Sequence, residues 1–176
     1  MKKKTRGLPN HKTVIIIFIL FSSLNNISAQ NTSYYANTTP ISGTNNAAFG
    51  SSALNNTTTG SDNVAVGVSV LSSNTTGGGN LGIGKSALNN NTTGYSNTAI
   101  GYQSLIYNTT GYSNTAIGDF ALGFNTTGYL NIAIGPVALA SNQTGNLNTA
   151  IGVSALLGNV TGSYNSALGY GAGVAY

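Results

Sequence analysis

Cysteine, tryptophan and glutamate are absent from this 176-residue chain, and its only acidic side chains are Asp62 and Asp119. Without cysteine no disulfide can brace the fold. The one histidine, His11, cannot build a structural zinc site by itself. General acid–base catalysis relies on paired His, Glu, Asp, Lys, Tyr or Cys. Here the two aspartates stand 57 residues apart, at different points of a repeat. Serines and threonines are plentiful, yet no base stands ready to activate one. Neither an enzyme nor a bound cofactor or metal is expected.

Positive charge is scarce beyond the first dozen residues. Lys2, Lys3, Lys4, Arg6 and Lys12 precede the apolar run Val14–Phe21, which leads to Ile27-Ser28-Ala29. A basic start, a short apolar stretch and a small residue at the cleavage point describe a secretory signal peptide over residues 1–29. The run is shorter than the about 20 residues that a spanning helix needs. From Gln30 onward Lys85 is the only cation, and one lysine against two aspartates leaves a formal charge of −1. Nucleic-acid binding, which requires Lys and Arg on phosphates, has no basis here. The expected location is outside the cell or on a bacterial cell surface.

What is abundant is one phrase. Asn recurs at 46, 63, 80, 97, 114, 131, 148 and 165, always 17 residues apart. Counting that Asn as position 1, position 5 is glycine throughout: Gly50, Gly67, Gly84, Gly101, Gly118, Gly135, Gly152 and Gly169. Position 15 is Gly and position 14 Thr in all seven complete copies. The consensus is N-T-A-I-G-x-x-A-L-x-x-N-T-T-G-x-x, without insertion or deletion. A fixed short period marks a stack of equivalent units. Gly recurs too often for helical repeats, whereas short strands joined by glycine turns fit the pattern. The spacing therefore predicts an all-β parallel β-solenoid, a β-roll of about eight coils starting at those asparagines, over residues 46–176. Two short strands per coil are expected, T-A-I and A-L, with positive φ at the glycines of positions 5 and 15. Seven to eight coils give a rod of about 35 Å. Residues 30–45 fall outside the register and read as a lead-in or cap. The last copy stops at Tyr176, either as a fragment of a longer array or with Tyr170 and Tyr176 covering the end.

Alternation in a strand puts positions 3 and 4 on opposite faces. Position 4 carries Ile83, Ile100, Ile117, Ile134 and Ile151; position 9 carries Leu88, Leu105, Leu122, Leu139 and Leu156. These two ladders are expected to form the core. Position 3 is Ala in seven copies and Gly82 in the other, so a second, small-residue face is left. It suits either a narrow interior or self-association into a homo-oligomer.

The runs NTAIGxxAL at 97–105 and 148–156 resemble the head repeats of trimeric autotransporter adhesins. Those heads are parallel β-rolls built from S-x-A-I-G-x-x-A-x-A units, three chains side by side. The resemblance covers residues 46–173 and implies a trimer on a cell surface. The turn N-T-T-G-x-x is longer than in the usual head repeat, and these 176 residues hold no heptad-stalk or β-barrel-anchor pattern. Similar N-T-A-I-G-Y-x-A-L arrays also look like shafts of fibre proteins.

Aromatic residues gather in the central coils. Tyr95, Tyr112 and Tyr129 share position 16, while Tyr102, Tyr107, Phe120 and Phe124 occupy other turn positions. Such rings are the candidate binding residues, for a host or matrix surface protein or a glycan. The same rings can equally stabilise their own stack. Asn56, Asn74, Asn91, Asn108 and Asn125 begin N-x-T sequons. The Asn-Thr-Thr-Gly rows suggest ordered water and ice binding, although consecutive threonines of an extended strand would point opposite ways; turn-stabilising side-chain bonds are the expected role. The expected function is thus an exported, repetitive surface protein, an adhesin head or fibre-like spacer acting by avidity. The alternatives are an ice-binding solenoid and a purely structural shaft.

Overall fold

A computed structural model describes residues 31–34, 43–56 and 59–173. The signal-peptide assignment, 1–29, lies outside those residues. Among the described residues, nine parallel strands form one sheet in strict chain order. They are β1 (Asn31–Tyr34), β2 (Asn46–Phe49), β3 (Val64–Val66), β4 (Leu81–Ile83), β5 (Thr98–Ile100), β6 (Thr115–Ile117), β7 (Ile132–Ile134), β8 (Thr149–Ile151) and β9 (Ser166–Leu168). From β2 on, each pairing joins residues 17 apart: Ile83 with Ile100, then Ile100 with Ile117. The chain is therefore a parallel β-solenoid, one coil per repeat. The lead-in contributes a rung of its own, since Asn31 pairs with Asn46 at a spacing of 15.

Each coil holds one strand, not two. The A-L segment is a turn in which positions 7 and 9 adopt left-handed backbone, as at Gln103 (φ 55) and Leu105 (φ 50). Its amides still bond from coil to coil. Leu105 N–H donates to Ala121 C=O at 3.0 Å, and Gln103 N–H donates in the opposite direction to Lys85 C=O at 3.0 Å. Left-handed leucine costs about 1–2 kcal/mol. Complete burial of the Leu side chain contributes about 1.5–3 kcal/mol and offsets it.

The two glycine columns have different causes. Position 5 has positive φ, +136 at Gly101, and a Cβ there would also lie 2.6 Å from the Gly118 carbonyl carbon. Position 15 lacks the expected positive φ. Its glycines leave room instead: a Cβ on Gly111 would strike Asn108 Oδ1 and the Gly128 carbonyl oxygen, and come within 2.8 Å of Asn125 Nδ2.

The core also corrects the sequence reading. The Leu ladder is inside, with Leu88, Leu105, Leu122 and Leu139 fully buried and Leu156 nearly so. The position-4 ladder is outside: Ile83, Ile117, Ile134 and Ile151 are 36–37% exposed, and Ile100 is only partly buried. Position 3 faces in, and Ala99, Ala116, Ala133 and Ala150 are 0% exposed. Ala and Leu fill one part of the lumen; two ranks of asparagine fill the rest. From Asn46 to Asn148 each position-1 Asn accepts on Oδ1 from the next coil, as Asn97 does from Asn114 N–H (3.0 Å) and Asn114 Nδ2 (3.1 Å). The position-12 rank is linked in the same way, Asn108 Nδ2 donating to Asn91 Oδ1 at 2.7 Å. With Leu and Asn across the lumen, a methyl is what fits at position 3, and the bulkier Ile side chain is turned outward.

Candidate binding surfaces

Three outer surfaces follow from this packing. The first is the outward side of the sheet, where positions 2 and 4 form two parallel rows. Its position-4 row runs without a polar interruption from Phe49 through Val66 and the isoleucines to Leu168. The small-residue face considered for self-association is thus the lumen wall, and cannot meet another chain. The sheet leaves its bulky aliphatic row on the surface instead.

The second surface is the position-16 column. Tyr95 and Tyr112 stack with centroids 4.8 Å apart and planes 4° from parallel; Tyr112 and Tyr129 stack at 4.8 Å and 2°. That separation equals the parallel-strand spacing, so the coil rise itself dictates the stack. Desolvation, followed by the neighbouring Tyr129 and Tyr95 hydroxyls, raises the Tyr112 pKa above the ordinary 10.0. Where position 16 is polar, the side chain bonds to the backbone: Asn146 Oδ1 accepts Tyr129 N–H at 2.9 Å. Tyr102 belongs to neither aromatic group. Its N–H donates to Asp119 Oδ1 at 3.3 Å, and its ring is exposed.

The third surface combines positions 11 and 13. Tyr107 and Phe124, both at position 11, stack at 5.5 Å and 2°. Phe120 meets Phe124 edge-on, with centroids 5.0 Å apart and planes at 81°. Opposite the rings runs a threonine row whose hydroxyls donate to the next coil: Thr109 Oγ1 to Thr126 C=O and Thr126 Oγ1 to Gln143 C=O, each 3.0 Å. Between the rows lies an open groove of about 540 Å³, lined by Asn90, Tyr107, Thr109, Phe124, Thr126 and Gln143. Tyr107, Phe120 and Phe124 thus come together, apart from the position-16 tyrosines. Asn90 and Gln143 escaped the sequence reading because a single polar residue in a turn carries no distinguishing signal.

The repeated asparagines serve the interior. Asn74, Asn91, Asn108 and Asn125 are fully buried, so these sequons are closed to a glycan in the folded chain. Their expected turn bonds are present, as from Asn74 Nδ2 to Gly77 C=O at 2.9 Å. Neither Thr of the turn is buried, because N-T-T-G is not an extended strand; both flank the outer surface. Among the described residues no group of three His, Cys, Asp or Glu is placed to hold a metal ion.

Compared with family models, curated proteins and solved structures, the chain matches none.

Proposed function

We propose that this chain is an exported, non-catalytic surface protein whose solenoid rods associate side by side. The assembly, a trimer by its resemblance to adhesin head repeats, acts as an adhesin head or fibre-like spacer that binds surfaces by avidity. The observation that carries this reading is the outward aliphatic row at position 4. Contiguous apolar patches on monomers seldom exceed a few hundred Å² and mark interaction sites when they do. Burying an Ile completely yields about 1.5–3 kcal/mol, and the third still exposed on each rung withholds part of that. The fitting occupant is a second copy of the chain. It brings a row of identical pitch, and no Lys, Arg, Asp or Glu stands in either row to oppose contact. Any unrelated partner would have to match that pitch over the whole rod.

The ice-binding alternative has less support. The sheet presents Thr98, Thr115 and Thr149 beside Ile100, Ile117 and Ile151, so hydroxyls fill only part of one row. The row at position 13 has its hydroxyl hydrogens engaged with backbone carbonyls.

Sedimentation of the purified secreted protein tests the proposal. An oligomer is expected, and an Ile100→Asp/Ile117→Asp variant should be monomeric while keeping the β-rich circular-dichroism spectrum. A monodisperse monomer in the unaltered protein would overturn it. Thermal hysteresis on the same samples tests the ice-binding alternative, and adhesion to cells or matrix separates an adhesin from a passive shaft.

A further inference from the structure

Position 11 differs between two central coils and the rest. In the other coils position 11 is Asn56, Ser73, Asn90, Ser141 or Gly158. The coil therefore closes without an aromatic ring there, and Tyr107 with Phe124 is an addition that the fold does not require. The addition is supported from beneath. Position 10, which is Asn55, Ser72, Asn89, Ile106, Ala140 or Leu157 in other coils, is Gly123 beside Phe124. A Cβ on Gly123 would lie 2.6 Å from Phe120 Cδ1. The missing side chain makes room for the Phe120 ring, which in turn buttresses Phe124 edge-on.

We infer that the groove between Tyr107/Phe124 and Thr109/Thr126 binds an uncharged saccharide chain. The inference supplies a ligand class for the adhesive reading and rests on that reading only in that respect. The rings are 2° from parallel with centroids 5.5 Å apart. This exceeds the contact distance of about 3.5–4 Å between carbon atoms, so the two rings do not close fully on each other. Tyr107 and Phe124 are 44% and 47% exposed. A pyranose offers the matching surface, an apolar face of C–H groups rimmed by hydroxyls. Polar groups stand at both ends of the platform. The Gln143 side-chain amide and the Tyr107 hydroxyl have no hydrogen-bond partner among the described residues, and Asn90 donates from Nδ2 to Ile106 C=O, leaving Oδ1 free to accept.

The other occupants fit less well. No Lys, Arg, Asp or Glu lines the groove, so an anionic or cationic ligand would lose its counter-charge on entering. An extended peptide needs free backbone partners to add a strand. Here Tyr107, Thr109 and Phe124 amides already donate to Gly123, Thr126 and Ala140 carbonyls. Hydroxyls, amides and ring faces are what remain. None of the lining residues belongs to the position-2 and position-4 rows, so a rod associated through the sheet keeps this groove's residues outside that contact.

Calorimetric titration of the secreted protein with cellohexaose, chitohexaose and mannohexaose tests the site. At least one should bind, with Kd between about 1 μM and 1 mM. Tyr107→Ser and Phe124→Ser introduce the residue that other coils carry, so both should fold, and each should weaken binding about tenfold. Tyr164→Ser, an exposed tyrosine outside the groove, should leave binding unchanged. Absence of binding by all three sugars, or binding that survives both groove substitutions, would overturn the inference. So would a proline-rich decapeptide that binds the groove in place of the sugars. Sedimentation of the same samples keeps the two readings apart. A monomer that binds sugar removes side-by-side association and leaves the groove; an oligomer that binds none removes the groove alone.

Discussion

Asn97 and Asn108 donate to one acceptor: their Nδ2 groups lie 2.8 and 3.0 Å from the carbonyl oxygen of Gly111. One residue opens a coil and the other stands eleven positions on, so a single carbonyl fastens the coil to itself. The same convergence recurs at Gly94 from Asn80 and Asn91, and at Gly128 from Asn114 and Asn125. Buried amides are tolerated because nearly every donor and acceptor is used.

Removing one member of the convergence should therefore be expensive. Asn97→Ala leaves Asn114 N–H without its acceptor and takes one of two partners from both Gly111 C=O and Asn114 Nδ2, which keep Asn108 Nδ2 and Gly128 C=O. At about 1–3 kcal/mol for the buried N–H left unsatisfied and about 1 kcal/mol for each further bond lost, a loss of roughly 3–5 kcal/mol is expected in urea unfolding. Asn97→Asp adds a pH dependence. A buried carboxylate facing the Gly111 carbonyl has its pKa raised above the usual aspartate value of about 3.9. Stability of this variant should be fullest below that value and fall as pH rises through the folded-state pKa. Stability that rises with pH would contradict the packing.

Two glycine substitutions should behave oppositely. Gly111→Ala pushes a methyl into Asn108 Oδ1 and the neighbouring coil's carbonyl, and should destabilise the chain by at least about 3 kcal/mol. Gly158→Ala meets nothing within 4 Å and has no positive φ. It should be neutral or stabilising by about 0.4–1 kcal/mol, through the unfolded state. Thermal melts of the two variants check this.

Leu105→Ala and Ile117→Ala separate the inner ladder from the outer one. The first empties a fully buried site and should cost about 2–5 kcal/mol. The second removes a side chain already over a third exposed, and should cost less than about 1.5 kcal/mol within one chain. If the rods associate through the sheet, Ile117→Ala should lower the oligomer mass at a given concentration. Equal losses in unfolding experiments on dissociated chains would contradict the assignment of Ile117 to the outside.

The tyrosine stack should be sensitive to alkali. Desolvation and the two flanking hydroxyls disfavour tyrosinate at Tyr112, so it should titrate above the ordinary 10.0. A pKa raised by folding means stability that is complete at lower pH and lost as pH climbs through the folded-state value. Absorbance titration at the tyrosinate band should give a late component. That component should move down in a Tyr95→Phe/Tyr129→Phe variant, where only desolvation remains.

Much of this architecture could be read from spacing. The 17-residue interval fixes which residues stack, because a constant coil length places Tyr95, Tyr112 and Tyr129, or Ile83, Ile100 and Ile117, one above the next. Leu105 and its ladder equivalents lie in the core as expected, whereas the equally apolar position 4 lies outside. The A-L segment misled because its apolar character suits a strand, while its φ of about +50 at Leu does not follow from residue type. The groove was half visible: Tyr107 and Phe124 stood out by type, whereas Gly123, Asn90 and Gln143 gain meaning only from what lies next to them.

Sequence alone thus determined the period, the columns and the opposition of positions 3 and 4 across the strand. Tertiary structure decided which of those two faces is inside. Alternation states that neighbours point apart and is indifferent to direction. Direction comes from volume: the Leu ladder and the two hydrogen-bonded asparagine ranks leave the lumen room for a methyl at Ala99 and Ala116, and the isoleucines must face out.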